Sequence, residues 1–434
     1  MGLTASHTVS APPAQVWQWH SRPGAVVRLT PPFLPMTVTS QASSLADGTT
    51  TFALPARQRW VAQHDPSGYI EGRQFVDVVV NEPFRTTTAW RHTHEFAPAG
   101  PSGDAAGSAE SATLITDRID TRVPARILRA AVAYRQNQLI NDIDFLSQLP
   151  DSTPLTVAVT GARGLVGTAL CAQLGTAGHT VIRLVRGDAG LGERHWNPEH
   201  PASDLLHGVD AVVHLAGEPI FGRFTEEKKQ RILDSRVGPT AALARLAADS
   251  GVATFVSASA IGIYDDGFLA QVCRQWEAAT HVDAMRTVNI RTGLALSGAG
   301  GLLPVLRASA SVGLGARIGN GDFWMSWISL DDLTDTYLRA LIDPTVEGAV
   351  DATAPNPVTN AEFSRILAGL LRRPAPLPIP ALGPKLLLGT EGARELAMAD
   401  IKVTPAPGTR FRYPHLTEAL EHELGLEARV ESDE

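Results

Sequence analysis

The segment that most constrains this chain is Thr160-Gly161-Ala162-Arg163-Gly164-Leu165-Val166-Gly167. It ends an apolar, β-branched run that starts at Leu155 and leads into a helical pattern over residues 166–177. Three glycines spaced Gly-x-x-Gly-x-x-Gly at a strand-to-helix turn have separate uses. Gly161 permits the tight turn, Gly164 lets an anion approach the backbone, and Gly167 lets the helix pack close to the strand. The free amides and dipole at the helix start then favour a pyrophosphate. This loop predicts a dinucleotide-binding βαβ unit, with Gly161, Arg163, Gly164, Leu165, Val166 and Gly167 around the phosphates.

Downstream, strand-like runs at 180–185, 209–215 and 253–257 alternate with a helical stretch at 226–250. That order predicts an α/β fold with a Rossmann-type, doubly wound parallel sheet. Upstream, residues 49–54, 75–80, 86–96 and 112–119 have strand composition, and 126–149 has helical periodicity. The Gly- and Pro-rich stretch at 97–112 reads as a loop, and Leu149-Pro150-Asp151-Ser152-Thr153-Pro154 as a linker. With 434 residues the chain has room for two or three domains at about 100–200 residues each. The expected division is an α+β domain over 1–150, the dinucleotide domain over 151–370 and a small substrate-side region over 371–434.

A net charge of −8 argues against a nucleic-acid or anionic-membrane partner. No apolar run reaches the roughly 20 residues that span a bilayer, and no signal peptide is evident, so a cytoplasmic protein is expected. Only two cysteines occur, Cys171 and Cys273, which is neither a disulfide framework nor a zinc pattern. Lysine is scarce: only Lys228, Lys229, Lys385 and Lys402.

The glycine spacing, His214-Leu215-Ala216-Gly217, Ser257-Ala258-Ser259-Ala260, Arg291-Thr292-Gly293 and Trp327-Ile328-Ser329-Leu330-Asp331-Asp332 together resemble the extended short-chain dehydrogenase/reductase family over roughly 155–365. The resemblance implies a nicotinamide dinucleotide, with Leu215, Ala216, Gly217 and Ser257 beside it. The end of the second strand decides which one. An acidic residue there suits NAD, and an arginine suits the extra phosphate of NADP. The strand ends in Arg186, and Arg163 lies in the loop, so NADP is expected. Asp188 as a ribose acid, and hence NAD, is the competing reading.

The family reaction uses a Tyr-x-x-x-Lys pair, in which the lysine lowers the tyrosine pKa. None of Tyr69, Tyr134, Tyr264, Tyr337 and Tyr413 has a lysine four residues on. The helix expected to carry the pair reads Phe268-Leu269-Ala270-Gln271-Val272-Cys273-Arg274-Gln275-Trp276-Glu277. This departure, with Gly217-Glu218-Pro219-Ile220 and Ser235-Arg236-Val237, resembles an atypical nucleoside-diphosphate-sugar epimerase-like subfamily. That subfamily ends in a small domain of unknown function, which Leu387-Leu388-Gly389-Thr390-Glu391 and Phe411-Arg412-Tyr413-Pro414 resemble. Its longer acidic loop is here only Asp265-Asp266-Gly267.

The remaining catalytic candidates are Ser259, to hydrogen-bond a substrate oxygen, and Tyr264, to donate a proton with Arg274 tuning it. Glu218, Arg291 and Trp324 are substrate-side candidates, with a carboxylate in the core as the other partner open to Arg291. Arg236 faces either the cofactor or the surface, the Glu226–Arg231 run reads as a solvated helix face, and Asp331 and Asp332 are expected to cap a helix. Two functions stay open. One is an NADP-dependent oxidoreductase or epimerase acting on a small carbonyl or nucleotide-sugar-like compound. The other is a non-catalytic NADP-binding sensor or scaffold.

Residues 1–150, with Pro13-Ala14-Gln15-Val16-Trp17 and the final helix, resemble the helix-grip polyketide cyclase/START-like proteins. That resemblance implies a cavity for a hydrophobic ligand. Trp90, His92, His94 and Phe96 share one strand face. His92 and His94 could ligate a metal, but the spacing offers no third ligand, so packing and no metal site are expected. Asp77 and Asp117 read as ordinary strand-end or surface carboxylates.

Overall fold

The computed structural model describes residues 2–100, 111–283, 285–311, 316–373, 378–380 and 382–427. The chain folds into two compact units. One comprises Met1–Leu149, Ala172–Gly178 and His422–Glu434, and the other Pro150–Cys171 and His179–Glu421. No helix among the described residues is long and apolar enough to cross a membrane.

The first unit is α+β. It opens with β1 (Gly2–Val9), α1 (Pro13–Ser21) and α2 (Ala25–Arg28). Then follow β2 (Thr37–Ser40), β3 (Thr49–Ala53), β4 (Arg59–His64), β5 (Gln74–Val79) and α3 (Phe84–Thr88). The last elements are β6 (Arg91–Pro98), β7 (Thr113–Asp120) and the long α4 (Ala125–Ser147). The strands make one antiparallel sheet in the order β1-β7-β6-β5-β4-β3-β2. Alternation buries every second residue from His92 to Phe96 in β6 and from Thr113 to Ile119 in β7, so the inner face carries Phe96, Ile115 and Ile119 beside the polar His92, His94 and Asp117. Trp19, Phe75, Phe96, Ile115, Leu139 and Ile143 form its core. Buried Arg28 of α2 donates through Nε to Asp142 of α4 at 2.9 Å, and Gln138 donates to the same carboxylate at 3.0 Å.

The strand expected over 86–96 begins only at Arg91. Before it, Phe84–Thr88 is helical because Glu82 accepts from the backbone and hydroxyl of Thr86, at 3.3 and 2.9 Å. The hydroxyls of Thr87 and Thr88 bond back to the carbonyls four residues earlier, which satisfies a β-branched run inside a helix. Much of the loop expected over 97–112 lies outside the described residues.

The second unit holds the parallel sheet. Its strands are β8 (Thr156–Thr160), β9 (Thr180–Val185), β10 (Glu193–His195), β11 (Ala211–His214), β12 (Thr254–Ala260), β13 (Arg286–Thr292) and an edge strand, Gly348–Ala352. Their order is β10-β9-β8-β11-β12-β13-edge, with every pair parallel. The central strands read as continuous apolar runs because helices cover both faces, and Val157, Val212, Val213, Phe255 and Val256 are fully buried. The helix α5 (Leu165–Ala177) follows β8. The strand order reverses at β8, leaving a crevice between the carboxyl ends of β8 and β11 where such folds bind ligands.

The helix expected over 226–250 is two helices, α6 (Glu226–Asp234) and α7 (Val237–Asp249). The break frees Ser235 to accept from Glu218 N at 2.9 Å, and lets Arg236 turn back to Glu218 O at 3.0 Å. The Glu226–Arg231 run is not simply solvated. Lys228 pairs with Glu218 at 2.9 Å and Lys229 with Glu391 at 2.6 Å. The cap of the helix Leu330–Ile342 is Ser329 rather than either aspartate. Asp332 instead accepts from the backbone of Arg412 and Tyr413, and burial beside Asp335 pushes its carboxyl up to about 6.

Candidate functional site

The phosphate loop is built as its glycines require. Gly161 has φ +66°, and a Cβ there would lie 2.9 Å from the Leu215 carbonyl. A Cβ on Gly167 would come 2.3 Å from Gly161 O. Gly164 meets only Gly161 O, at 3.2 Å, so its outer side is open. Thr160 ties the two central strand ends together: its Oγ1 accepts from Leu215 N at 3.0 Å and Ala216 N at 3.1 Å. With its acceptor sites used, the hydroxyl donates to His214 Nδ1 at 2.8 Å. Burial pushes His214 down to about 3, so the ring is neutral. Beyond it, a Cβ on Gly217 would strike the Arg236 guanidinium at 2.9 Å, and that guanidinium stacks on Trp276 at 5.1 Å.

Leu165 and Val166 form the first turn of α5, and Ser257 is fully buried in β12 beside His214. Arg163 is exposed and paired with Glu193 at 3.1 Å. Arg186 follows the end of β9, exposed, and pairs with no carboxylate among the described residues. The open backbone at Gly164, the helix start and two surface guanidinium groups fit a phosphorylated dinucleotide.

A chain of polar groups crosses the carboxyl ends of β12, β13 and the edge strand. Register sets Ser259, Arg291 and Asp351 side by side. The helix α8 (Phe268–Ala278) adds Glu277. Ser259 Oγ donates to Glu277 Oε1 at 2.6 Å. Arg291 donates to both oxygens of Glu277 at 2.8 Å and to the Tyr264 hydroxyl at 2.8 Å. Tyr264 in turn donates to Asp351 at 2.8 Å. Partial burial and the Asp351 carboxylate raise the Tyr264 hydroxyl above the ordinary tyrosine range, with Arg291 opposing them.

These contacts revise several expectations. Ser259 is buried and its hydroxyl proton is committed to Glu277 rather than offered to a ligand. Arg274 does not tune Tyr264: it donates to the carbonyls of Ile263 and Asp265, and Arg291 takes that place. Of the two expectations for Arg291, a substrate or a carboxylate partner, the carboxylate holds: it pairs with Glu277. On α8, Phe268 and Leu269 donate their backbone N–H groups to Glu395 at 3.1 and 2.8 Å. This carboxylate anchors the short Asp265-Asp266-Gly267 turn. Burial pushes the Cys273 thiol up to about 11, which removes it as a nucleophile.

Tyr264 is half-exposed and opens on a cleft of about 600 Å³ that also takes Arg394, Asp400 and Lys402. Trp324 borders it indirectly: Lys402 Nζ sits 3.7 Å from its ring centroid, and its backbone N–H donates to Asp400 at 2.8 Å. Glu218, paired with Lys228, is not drawn into this group. The residues missed in the sequence are Glu277, Asp351, Lys402 and Glu395. Scarcity marks Lys402 alone, and no local pattern marks the others.

The first unit holds a partly open cavity of about 440 Å³ between its sheet and helices. Leu29, Phe52, Trp60, Phe75 and Val132 are among its mostly apolar walls, and Asp77, His92 and His94 stand together on its sheet side. Asp77 and Asp117 are not ordinary surface carboxylates. Asp117 is buried, and both reach the two imidazoles. Nor is a third ligand lacking: Asp77, His92 and His94 each offer one ligand atom, all within 4.8 Å of one another.

Comparison with known proteins gives consistent likenesses. The sequence profile described as "NAD dependent epimerase/dehydratase family" matches residues 157–281. An "Epimerase family protein" of Mycobacterium bovis is 42% identical over 61% of this chain and 96% of its own length. A Corynebacterium glutamicum structure, described as a nucleoside-diphosphate sugar epimerase, shares 45% identity with a TM-score of 0.82. That likeness covers 98% of this chain and 90% of the other. The human epimerase family protein SDR39U1, solved with NADPH, shares 29% identity with a TM-score of 0.57, over 62% of this chain and 99% of its own.

Proposed function

Since this chain belongs to the epimerase family of NAD(P)-binding Rossmann proteins, we propose that it binds NADP(H) and acts as an epimerase-like oxidoreductase. Its substrate is a small carbonyl or nucleotide-sugar-like compound. The observation that carries this reading is the open glycine cradle with Arg186 exposed at the end of the second strand. The extra phosphate of NADP needs a cation there, where NAD needs an acid. The NADPH held by human SDR39U1 supports the same choice.

When bound, the nicotinamide supplies or takes up a hydride. Arg163, whose side chain is exposed, would exchange its Glu193 pair for phosphate contacts. Tyr264 carries its proton at neutral pH and serves as a donor, not as a base: a substrate oxygen in the cleft would take over the proton that Asp351 now accepts. The lost proton returns from solvent, to which half of that side chain is exposed. Arg291 and Asp351 orient the hydroxyl, and Glu277 and Ser259 hold Arg291 in place.

The test is mass spectrometry of the denatured protein for co-purified NADP(H), followed by incubation with deuterated NADPH and candidate carbonyls. Deuterium transfer that Tyr264→Phe slows is expected. Nucleotide binding with no transfer to any carbonyl favours the non-catalytic sensor, the reading that the missing Tyr-x-x-x-Lys pair supports. We also read the cavity of the first unit as a pocket for an apolar small molecule, because its walls are mostly apolar.

A further inference from the structure

The cavity of the first unit carries a second chemistry, independent of the dinucleotide site. Strands β5, β6 and β7 are neighbours, and their register sets Asp77 opposite His92 and Asp117 opposite His94. All four side chains therefore rise from one sheet face. Asp117 Oδ1 stands 2.9 Å from His92 Nε2 and 2.8 Å from His94 Nδ1, the lengths of charge-assisted hydrogen bonds. These short contacts assign one ring proton of each histidine to the Asp117 side.

The other ring nitrogens, His92 Nδ1 and His94 Nε2, face Asp77 Oδ2 at 3.6 and 3.4 Å. Those separations are long for charge-assisted hydrogen bonds. They match a coordination shell: N and O ligands about 2.0–2.1 Å from a tetrahedral ion stand about 3.4 Å apart. Trp90 Nε1 donates to Asp77 Oδ1 at 3.1 Å, which occupies that oxygen and leaves Oδ2 free to ligate. Phe75 stacks on His94 with centroids 4.2 Å apart and fixes its plane. Two carboxylates meet two imidazoles at the wall of a largely apolar cavity, a set of N and O donors that suits a divalent cation.

We propose that Asp77, His92 and His94 bind one divalent transition-metal ion of the zinc class. Asp117 orients both imidazoles from behind, the arrangement that tunes metal-bound histidines. Three protein ligands leave a position open, as in catalytic rather than structural zinc sites. That position faces the cavity, where it takes an oxygen-bearing end of an apolar-bodied small molecule.

The full chain, stripped with a chelator, is titrated with Co²⁺ and then Zn²⁺. One equivalent of Co²⁺ should give the visible bands of a low-coordinate site, and Zn²⁺ should displace it. Azide should shift those bands through the open position. His94→Ala should abolish the bands. Asp117→Asn should keep the stoichiometry and weaken affinity about 10–100-fold, with near-ultraviolet circular dichroism showing it folded. Glu95→Gln, on the opposite face of β6, should change nothing. Absence of stoichiometric Co²⁺ binding by the folded wild type overturns the proposal, as does equal binding by an Asp77→Asn/His94→Ala double variant. Bands that azide leaves unmoved overturn the open position.

Discussion

Arg291 holds the Glu277 carboxylate with two hydrogen bonds of 2.8 Å and gives a third, also 2.8 Å, to the hydroxyl of Tyr264. The one guanidinium thus fixes a largely buried acid and a half-exposed tyrosine together. Arg291→Lys keeps the charge and loses the fork, so both partners cannot be held at once. The Tyr264-dependent part of deuterium transfer should then fall at least tenfold. Transfer at the wild-type rate in Arg291→Lys would remove the network from any role in positioning.

Asp351 raises the Tyr264 hydroxyl above its ordinary range and Arg291 opposes it. Asp351→Asn removes the raising charge. Alkaline difference spectra against Tyr264→Phe should show this tyrosine ionising at lower pH in the variant than in wild type. An unchanged midpoint would mean that the 2.8 Å contact carries no electrostatic weight.

Arg186 should discriminate the two nicotinamide dinucleotides. A charge-assisted bond to the extra phosphate is worth about 1.5–3 kcal/mol, so Arg186→Asp should weaken NADPH at least tenfold relative to NADH. Fluorescence titration reads both constants. Equal losses for the two would sink the NADP assignment.

Two glycines of the loop should separate fold from ligand. A methyl group at Gly167 meets backbone at 2.3 Å, so Gly167→Ala should cost about 1–3 kcal/mol of stability, as overpacking does. A methyl group at Gly164 meets only Gly161 O, at 3.2 Å, so Gly164→Ala should cost less stability than Gly167→Ala while weakening NADPH. A reversal of these two effects would show that the phosphates approach elsewhere.

His214 gives the fold an acid-sensitive seam. Its folded pKa of about 3 lies below the usual value of 6.5, because burial disfavours the charged ring. The unfolded chain therefore binds the extra proton between those values. The stability from the neutral ring is fully present above 6.5 and is lost as pH falls towards 3. One proton changes stability by about 1.4 kcal/mol per pH unit. His20, also pushed down to about 3, adds to this slope in the first unit. Urea denaturation at about pH 7 and about pH 5, on either side of the ordinary histidine value, should show a smaller loss for His214→Asn than for wild type. An identical loss would mean that His214 charges freely in the folded state.

Much of the second unit was legible in the sequence because its signals are local. A β-branched run, a glycine turn and a helical period follow one another around Gly161, and β8, α5 and β9 form nearly where they were read. Local signals failed where side chains chose the backbone. Glu82 turned the threonine run at 86–88 into helix, and Ser235 with Arg236 broke one expected helix into two.

The sites divide on the same line. The phosphate loop could be read from residue order alone, because a positive φ at Gly161 and the close approach at Gly167 are demands of the backbone that only glycine meets. Residue order does not say which side chains face one another across a sheet. Glu277 meets Ser259 and Arg291 only because α8 lies against β12 and β13. Asp77 and Asp117 reach the two histidines only because antiparallel register aligns three strands. Register is fixed by the packing of whole strands, and a slip of one residue would turn a strand's side chains to the other face. The partners of Tyr264 and the carboxylate of Asp77 beside His92 and His94 therefore came from long-range packing, which no local stretch of the chain encodes.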